Sequence, residues 1–571
     1  MLKDVIYTFE PKYKMIGEKF ITDNYDLGIG SYILLKKDGT YEEPIEITKD
    51  FDKSNSNYRK LCNLDYLSRI TDTNKSVDRK KIILSNNYLA FIGKKDKLKE
   101  KIKNKEIHKI VKNFYKTLEN PSEKYSGKTL ELYNKALDKY GKSNLEDLNF
   151  VKNWIENNLE NVLNEVKDDK NYIKIFLDLD IEEYERESNK YIIPNNFNKN
   201  DYNIKINDYI FGLPNDNMSL NAKKPYLEHK TRKNSIPYLI SEEEAMLQKK
   251  FFDHLYNNLV KGKSNVYIDE DLHFLNNEEN IDRRFSGYYL KLKKGKEVEI
   301  LDFDTIVDYN PHLEGFFITM PIDIDYKEKK DETLSKGPIL ELKDLQRYVD
   351  KIFFNKFLIN NYFAEPKDIT LNDNKIKEAL LKYRKGFFDW FFKGNNKIVR
   401  GFIDNMSLNL IKNSIIKGFY LRAKEQFNLR VAFLEYFKGG DNMADKLKKL
   451  SDILEEKINS KETQSFNNDE EYYFGVGQVV SYLISLNRSS KKMHSLINPI
   501  LNSRNDERLK NEIKKLFIKY NYTIEKHSKR FNNLYAMIEG YVPNKDINQD
   551  MLIAGYLHSS LIYKKDKEEE N

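Results

Sequence analysis

The run Lys327-Glu328-Lys329-Lys330-Asp331-Glu332-Thr333-Leu334-Ser335-Lys336, closed by Gly337-Pro338, divides the chain into two kinds of sequence. Before it, short β-branched and aromatic runs alternate with amphipathic stretches, predicting strands at Val5–Phe9, Tyr32–Leu35, Ile82–Leu84, Tyr88–Ile92, Tyr172–Ile181, Phe285–Leu292, Val298–Phe303 and Phe316–Ile324. Lys37-Asp38-Gly39 reads as a turn after Leu35, and Lys293-Lys294-Gly295-Lys296 as a hairpin turn between two of the strands. After Pro338 the strand signals stop and helical spacing takes over. Leu509, Ile513, Leu516, Phe517 and Tyr520 form one stripe, and Phe531, Leu534, Tyr535 and Ile538 another that ends at Gly540. The predicted class is α+β: a mixed α/β portion over 1–337, a helical connector over 338–442, and a basic helix bundle over 443–571.

A chain of 571 residues, 40% hydrophobic and 33% charged, can bury sizeable cores, which excludes a small disulfide scaffold or a disordered tail. Cys62 is the only cysteine, so neither an intrachain disulfide nor a clustered cysteine site can form. The first residues lack the apolar run of a signal peptide, and no long apolar stretch suits a membrane span, so a cytoplasmic protein without membrane partners is expected. Lys, Asn, Ile and Tyr, all with A/T-rich codons, are heavily used, so lysine abundance says little by itself. Its distribution says more. Arg488 to Arg530 holds 12 cations and 4 acids, a surplus that matches the chain's +7 closely, and Lys94 to Lys116 holds 10 lysines against 3 acids.

Catalytic signatures are weak. Gly127-Lys128-Thr129 and Gly262-Lys263-Ser264 end like phosphate-binding loops, but each lacks the first glycine and the strand-to-helix setting. Asp178-x-Asp180, Asp302-x-Asp304 and Asp323-x-Asp325 fit the outline of two-metal carboxylate pairs, and equally the solvent face of a half-buried strand. A metal-dependent nuclease or polymerase-like enzyme is therefore the alternative function. The eight histidines show no ligand spacing; Asp253-His254 stands alone on an amphipathic helix, and no G-x-S-x-G elbow exists. The chain reads as a non-enzyme with no metal and no cofactor.

Binding features are stronger. Arg488, Lys491, Lys492, Arg508, Lys514, Lys515, Lys519 and Arg530 spread cations over adjoining helices, as attachment to a phosphate backbone requires. Lys223 and Lys224, followed by Pro225 and Arg232, form a basic loop suited to the same task. Lys75, Asn86 and Asn87 flank two predicted strands and carry the amides and cation that can read a groove and hold its phosphates.

At these residues the sequence resembles a known family. Asn74-Lys75 with Ser85-Asn86-Asn87-Tyr88, Asn221-Ala222-Lys223-Lys224-Pro225-Tyr226-Leu227 with Pro237-Tyr238-Leu239-Ile240-Ser241, and Tyr473-Phe474-Gly475-Val476-Gly477-Gln478-Val479-Val480-Ser481-Tyr482-Leu483 are similar to segments of the large subunit of the type I-B CRISPR Cascade complex. Lys519-Tyr520-Asn521, Arg530-Phe531-Asn532-Asn533-Leu534 and Leu552-Ile553-Ala554-Gly555-Tyr556 continue the resemblance to the end of the chain. It implies a non-catalytic role in RNA-guided interference. Such a subunit would recognise a short duplex motif flanking the target, help open the DNA, hold the displaced strand and dock a helicase-nuclease. Its partners would be CRISPR RNA, the Cascade backbone subunits and target double-stranded DNA.

Lys438-Gly439-Gly440-Asp441-Asn442-Met443 adds one point. In A/T-rich codons it reads AAA-GGA-GGA-GAT-AAT-ATG, a ribosome-binding sequence ahead of an internal start. Initiation at Met443 would release the 129 residues to Asn571 as a separate small subunit from the same gene, an arrangement the resemblance also implies.

Overall fold

The computed structural model describes residues 2–215, 231, 239–295, 297–326, 332–439, 442–487, 494–524 and 528–563. Among them helix outweighs strand by 55% to 14%, and strands stop at Gly337–Pro338, so the mixed α/β portion does give way to helices there. No described helix is long and apolar enough to cross a membrane.

Packing divides the chain elsewhere. One compact unit is Met1–Asn276 with Gly287–Thr305, the other Asn277–Ser286 with Ile306–Asn571. The division thus falls within the strands Phe285–Lys294 and Val298–Tyr309, not at residue 337 or 443. A change of hydrophobic period reports the local backbone, whereas a unit is set by which side chains share a core.

In the first unit, Gly30–Leu35 lies antiparallel to Ile45–Ile47 and parallel to Tyr172–Leu177, and Ala90–Lys94 runs antiparallel along the far side of Tyr172–Leu177. The turn at Lys37-Asp38-Gly39 closes as expected: Gly39 N donates to Lys36 O at 3.0 Å, and Gly39 takes φ +87°, which glycine adopts without a Cβ penalty. Tyr32, Phe91, Ile173 and Phe176 fill the core of this sheet. Asn265–Ile268 centres a second sheet, between Leu272–Leu275 and Phe285–Lys294.

Four expectations change. Val5–Phe9 is part of the helix Leu2–Ile16: Val5, Ile6 and Phe9 lie on one helical face, buried with Phe251 and Leu255, and burial overrides β-propensity. Ile82–Leu84 makes only an isolated bridge, Ile83 to Gly93. Phe316–Ile324 shrinks to Phe317–Ile318, and the predicted Tyr172–Ile181 strand ends at Leu177 because Ile181 opens the helix Ile181–Asn195. A hairpin at Ile204–Ile206 and Tyr209–Gly212 is additional.

The second unit is helical. Asparagine, abundant here, repeatedly supplies the N-cap oxygen: Asn442, Asn468, Asn505 and Asn548 each accept from backbone N–H groups of the helices they precede, Met443–Asn459, Asp469–Ser485, Asp506–Tyr520 and Gln549–Leu557. The core joins Leu447, Val479, Leu509 and Leu552 with Ile411, Ile415, Phe427 and Val431, so residues 443–571 pack as one body with the preceding helices Lys397–Ile416 and Tyr420–Lys438. Arg430, 2% exposed, adds ion pairs to Asp550 (2.9 Å) and Asp404 (2.7 Å).

Asp469–Ser485 is buried almost throughout, and its backbone meets that of Gln549–Leu557 directly at Gly477 and Gly555. A Cβ on Gly555 would collide with the Phe474 carbonyl, and one on Gly477 with the Leu552 carbonyl and the Tyr556 amide. Gly→Ala inside a helix ordinarily stabilises by up to about 1 kcal/mol. Here we expect G555A to reverse that sign and destabilise the chain by about 3 kcal/mol in denaturant titration, since backbone atoms have no rotamer in which to yield.

Candidate nucleic-acid interface

The helix Asp506–Tyr520 turns Leu509, Ile513, Leu516 and Tyr520 inward and leaves Arg508, Lys514, Lys515 and Lys519 exposed. Lys515 pairs with Glu512 at 2.7 Å and Lys519 lies over the Tyr520 ring. Two apolar groups share this region, Ile518 at 59% and Tyr522 at 80% exposure. Cations beside an exposed aromatic ring are what a single strand needs, because phosphates meet charge and bases stack on the ring. Other cations of this segment have structural duties. Lys510 Nζ donates to the Tyr541 carbonyl at 2.5 Å, and Arg530 Nε and Lys529 Nζ donate to Asn459 at 2.6 and 2.8 Å. Arg530 is therefore a half-buried tether rather than an open contact. Lys223, Lys224, Arg232, Arg488, Lys491 and Lys492 lie outside the described residues.

In the first unit the three expected groove readers face inward. Asn86 and Asn87 are 2% and 1% exposed. Asn86 Nδ2 donates to the carbonyls of Leu67 and Arg69, both at 2.9 Å. Asn87 Nδ2 donates to Asn86 Oδ1 at 2.6 Å, and its own Oδ1 accepts from Leu89 N at 2.9 Å. Lys75 Nζ donates to the carbonyls of Asn195 (2.5 Å) and Phe197 (2.7 Å). Amides and an ammonium so engaged have no free edge to offer a base, because breaking those bonds would leave buried carbonyls unsatisfied.

Next to them, Asp78 and Lys124 hold up a loop. Asp78, 4% exposed, accepts from the backbone N–H groups of Lys80, Ile82 and Ile83 at 2.8–3.0 Å. Lys81 takes φ +58° and donates to Asn74 Oδ1 at 3.1 Å. Beneath, Lys124 Nζ donates to the carbonyls of Lys75 (2.7 Å) and Ser76 (2.8 Å). The loop exposes Arg79, Lys80 and Lys81, which lie in the same stretch as the expected groove readers. The sequence signal for this loop is an aspartate, a local turn former, immediately before three consecutive cations.

The candidate catalytic groups are dispersed. Asp178 is ion-paired to Lys60, Asp180 is exposed at the start of Ile181–Asn195, Asp302 and Asp304 sit on Val298–Tyr309, and Asp323 and Asp325 are exposed. Among the described residues no group of three or more His, Cys, Asp or Glu is placed to hold a metal ion. Lys128 Nζ donates to the carbonyls of Asp201 and Asn203, so it does not project over a phosphate loop. His254 stacks on Phe20 with ring centroids 4.5 Å apart, and burial pushes the Cys62 thiol up to about 11, which disfavours the thiolate. Protein-family models, curated proteins and solved structures contain no match to the chain.

Burial, aided by the Lys75 charge, brings Lys124 down to about 7. A neutral amine still has two N–H groups for its two carbonyls. Because the folded value lies below the unfolded one, the folded chain binds fewer protons between the two values, and stability rises with pH across that window. The stability difference between wild type and K124Q, from denaturant titrations, should grow as pH rises from about 7 to about 10, as linkage requires; a flat difference would mean that Lys124 stays protonated.

Proposed function

We propose that this chain is the non-catalytic large subunit of a type I-B CRISPR Cascade complex, needing neither metal nor cofactor. It would work in the cytoplasm with CRISPR RNA, the backbone subunits and a helicase-nuclease. Its first unit would engage duplex DNA beside the target, and its helical part would hold the displaced strand. The observation that carries this reading is the exposed set Arg508, Lys514, Lys515 and Lys519 around Ile518 and Tyr522. Strand capture needs charge spaced along a surface and a ring for bases, and no covalent chemistry. The ordered resemblance from Asn74 to Tyr556 supports the same assignment.

The position of Met443 supports an internal start. Met443 opens the helix Met443–Asn459, so a product beginning there would start at a helix boundary. Such a product would lack both Asn442, whose Oδ1 caps Ala444 and Asp445 in the full chain, and Glu435, whose carboxylate accepts from Met443 N at 2.9 Å.

Two measurements test this. Mass spectrometry of material purified from the native gene through a C-terminal tag should show CRISPR RNA, partner subunits and a 129-residue product, and changing the Met443 codon to Leu should remove that product alone. Full-length chain without RNA or partners would turn attention to the aspartate pairs and a metal-dependent nuclease assay. Separately, Lys514→Glu, Lys515→Glu and Lys519→Glu together should weaken DNA binding alike on all sequences and lower the salt slope by about 2 to 3. Unchanged binding would remove this face from the proposal.

A further inference from the structure

Resting on that reading, but in the first unit, a second cationic face differs in chemistry from the first. The helix Ile107–Glu119 buries Ile107, Ile110, Val111, Phe114 and Tyr115. Its opposite side carries His108, Lys109, Lys112, Asn113 and Lys116, all exposed. The Arg79-Lys80-Lys81 loop is tied in beyond the C-terminal end of this helix. Glu106, at the N-cap, is hydrogen-bonded by Lys101 at 2.8 Å and also feels the Lys80 ammonium. Beyond the C-terminus, Glu123 pairs with Lys116 at 2.8 Å while its backbone carbonyl accepts from Arg79. Two distant pieces of sequence, the 79–81 triplet and the second basic run, thus converge.

Glu106 and Glu123 are paired with Lys101 and Lys116, and the cations Arg79, Lys80, Lys81, Lys109 and Lys112 outnumber the other acids beside them, Asp78 and Glu119. Lys80, Lys109 and Lys112 have no hydrogen-bond or ion-pair partner for their ammonium groups among the described residues. Arg79 and Lys81 hydrogen-bond to neutral oxygens, the Glu123 carbonyl and Asn74 Oδ1, and neither forms an ion pair among the described residues. The loop is rigid, because the buried Asp78 carboxylate and the Lys124 ammonium fix its backbone from below. Lys109, Lys112 and Lys116 recur at each helical turn, and the 13-residue helix is about 20 Å long, the rise of about six base pairs.

No large apolar side chain between residues 70 and 125 is exposed, in contrast to Ile518 and Tyr522 in the second unit. With the His108 imidazole as its one exposed ring, this face offers unpaired bases a poorer stacking platform than Tyr522 does, whereas a duplex keeps its bases stacked internally and presents its phosphates outward. We propose that Arg79, Lys80, Lys81, Lys109 and Lys112 grip the phosphate backbone of duplex DNA, while the Asp506–Tyr520 face takes single strands.

Fluorescence anisotropy on the full chain separates the two, with a labelled duplex of mixed sequence and an oligo-dT of equal length as probes. K80E/K109E/K112E should weaken duplex binding about ten-fold or more and lower its salt slope by about 2 to 3, as loss of three phosphate contacts predicts. Oligo-dT binding should stay within about two-fold, because that ligand depends on the stacking site. The neutral set K80Q/K109Q/K112Q, which removes charge without repulsion, should show a smaller loss in the same direction, and circular dichroism should report unchanged helix for both. Unchanged duplex affinity overturns the proposal. Equal loss on both probes overturns the division between duplex and strand. A wild-type chain that binds neither probe at low salt fails the nucleic-acid reading as a whole, an outcome distinct from both.

Discussion

The helical unit depends on one close approach, backbone against backbone, where Gly477 of Asp469–Ser485 and Gly555 of Gln549–Leu557 leave no room for a Cβ. Only this spacing lets Gln478 bridge the two segments: its Nε2 donates to Gly555 O at 2.6 Å and its Oε1 accepts from Leu561 N at 2.8 Å. Around that pair the remaining helices add conventional layers. Glu471, 1% exposed, takes Lys457 at 2.8 Å and Asn467 N at 2.8 Å, which closes the bottom of the bundle. The Asp506–Tyr520 helix rests its Leu509–Leu516 stripe on this body, and its cationic face is consequently held outward. The glycine-bearing segments Tyr473–Leu483 and Leu552–Tyr556 are therefore packing elements, and the cationic face proposed as an interface lies on a neighbouring helix.

Lysine serves two opposed purposes in this molecule, and the difference lies in desolvation. A buried ammonium must find carbonyl or carboxylate oxygens, because an unpaired one costs several kcal/mol. Lys75 and Lys124, both half-buried, meet that demand by hydrogen-bonding main-chain carbonyls, and so act as cross-links between segments far apart in sequence. Lys190, with Glu187 at 2.6 Å, does the same with a carboxylate. An exposed ammonium faces no such demand and remains available to an external anion. Composition counts both kinds equally.

This explains which site residues could be read from sequence. Arg508, Lys514, Lys515 and Lys519 alternate with Leu509, Ile513 and Leu516 at helical spacing, so the period itself assigns them to the outer face, where they are found. Lys75, Asn86 and Asn87 lie in a loop with no period, and nothing local says which way a loop side chain turns. Their inward orientation is set by carbonyls of Asn195, Phe197, Leu67 and Arg69, some of them more than a hundred residues away. The exposure of Arg79 and Lys80 is likewise set by burial: it follows from the buried Asp78 carboxylate beneath them.

By itself the sequence determined the order of a mixed α/β portion and a helical portion, the Gly39 turn, the capped helices of the second half and the outward face of Asp506–Tyr520. These follow from periodicity, capping and turn chemistry, all of which act over a few residues. Tertiary structure alone decided that Val5–Phe9 is helical, that the packing boundary falls inside Phe285–Lys294 and Val298–Tyr309, and that Arg79 reaches the Glu123 carbonyl beyond the helix Ile107–Glu119. Each is an outcome of which surfaces leave water together, and that is a property of contacts between distant segments, which no local pattern encodes.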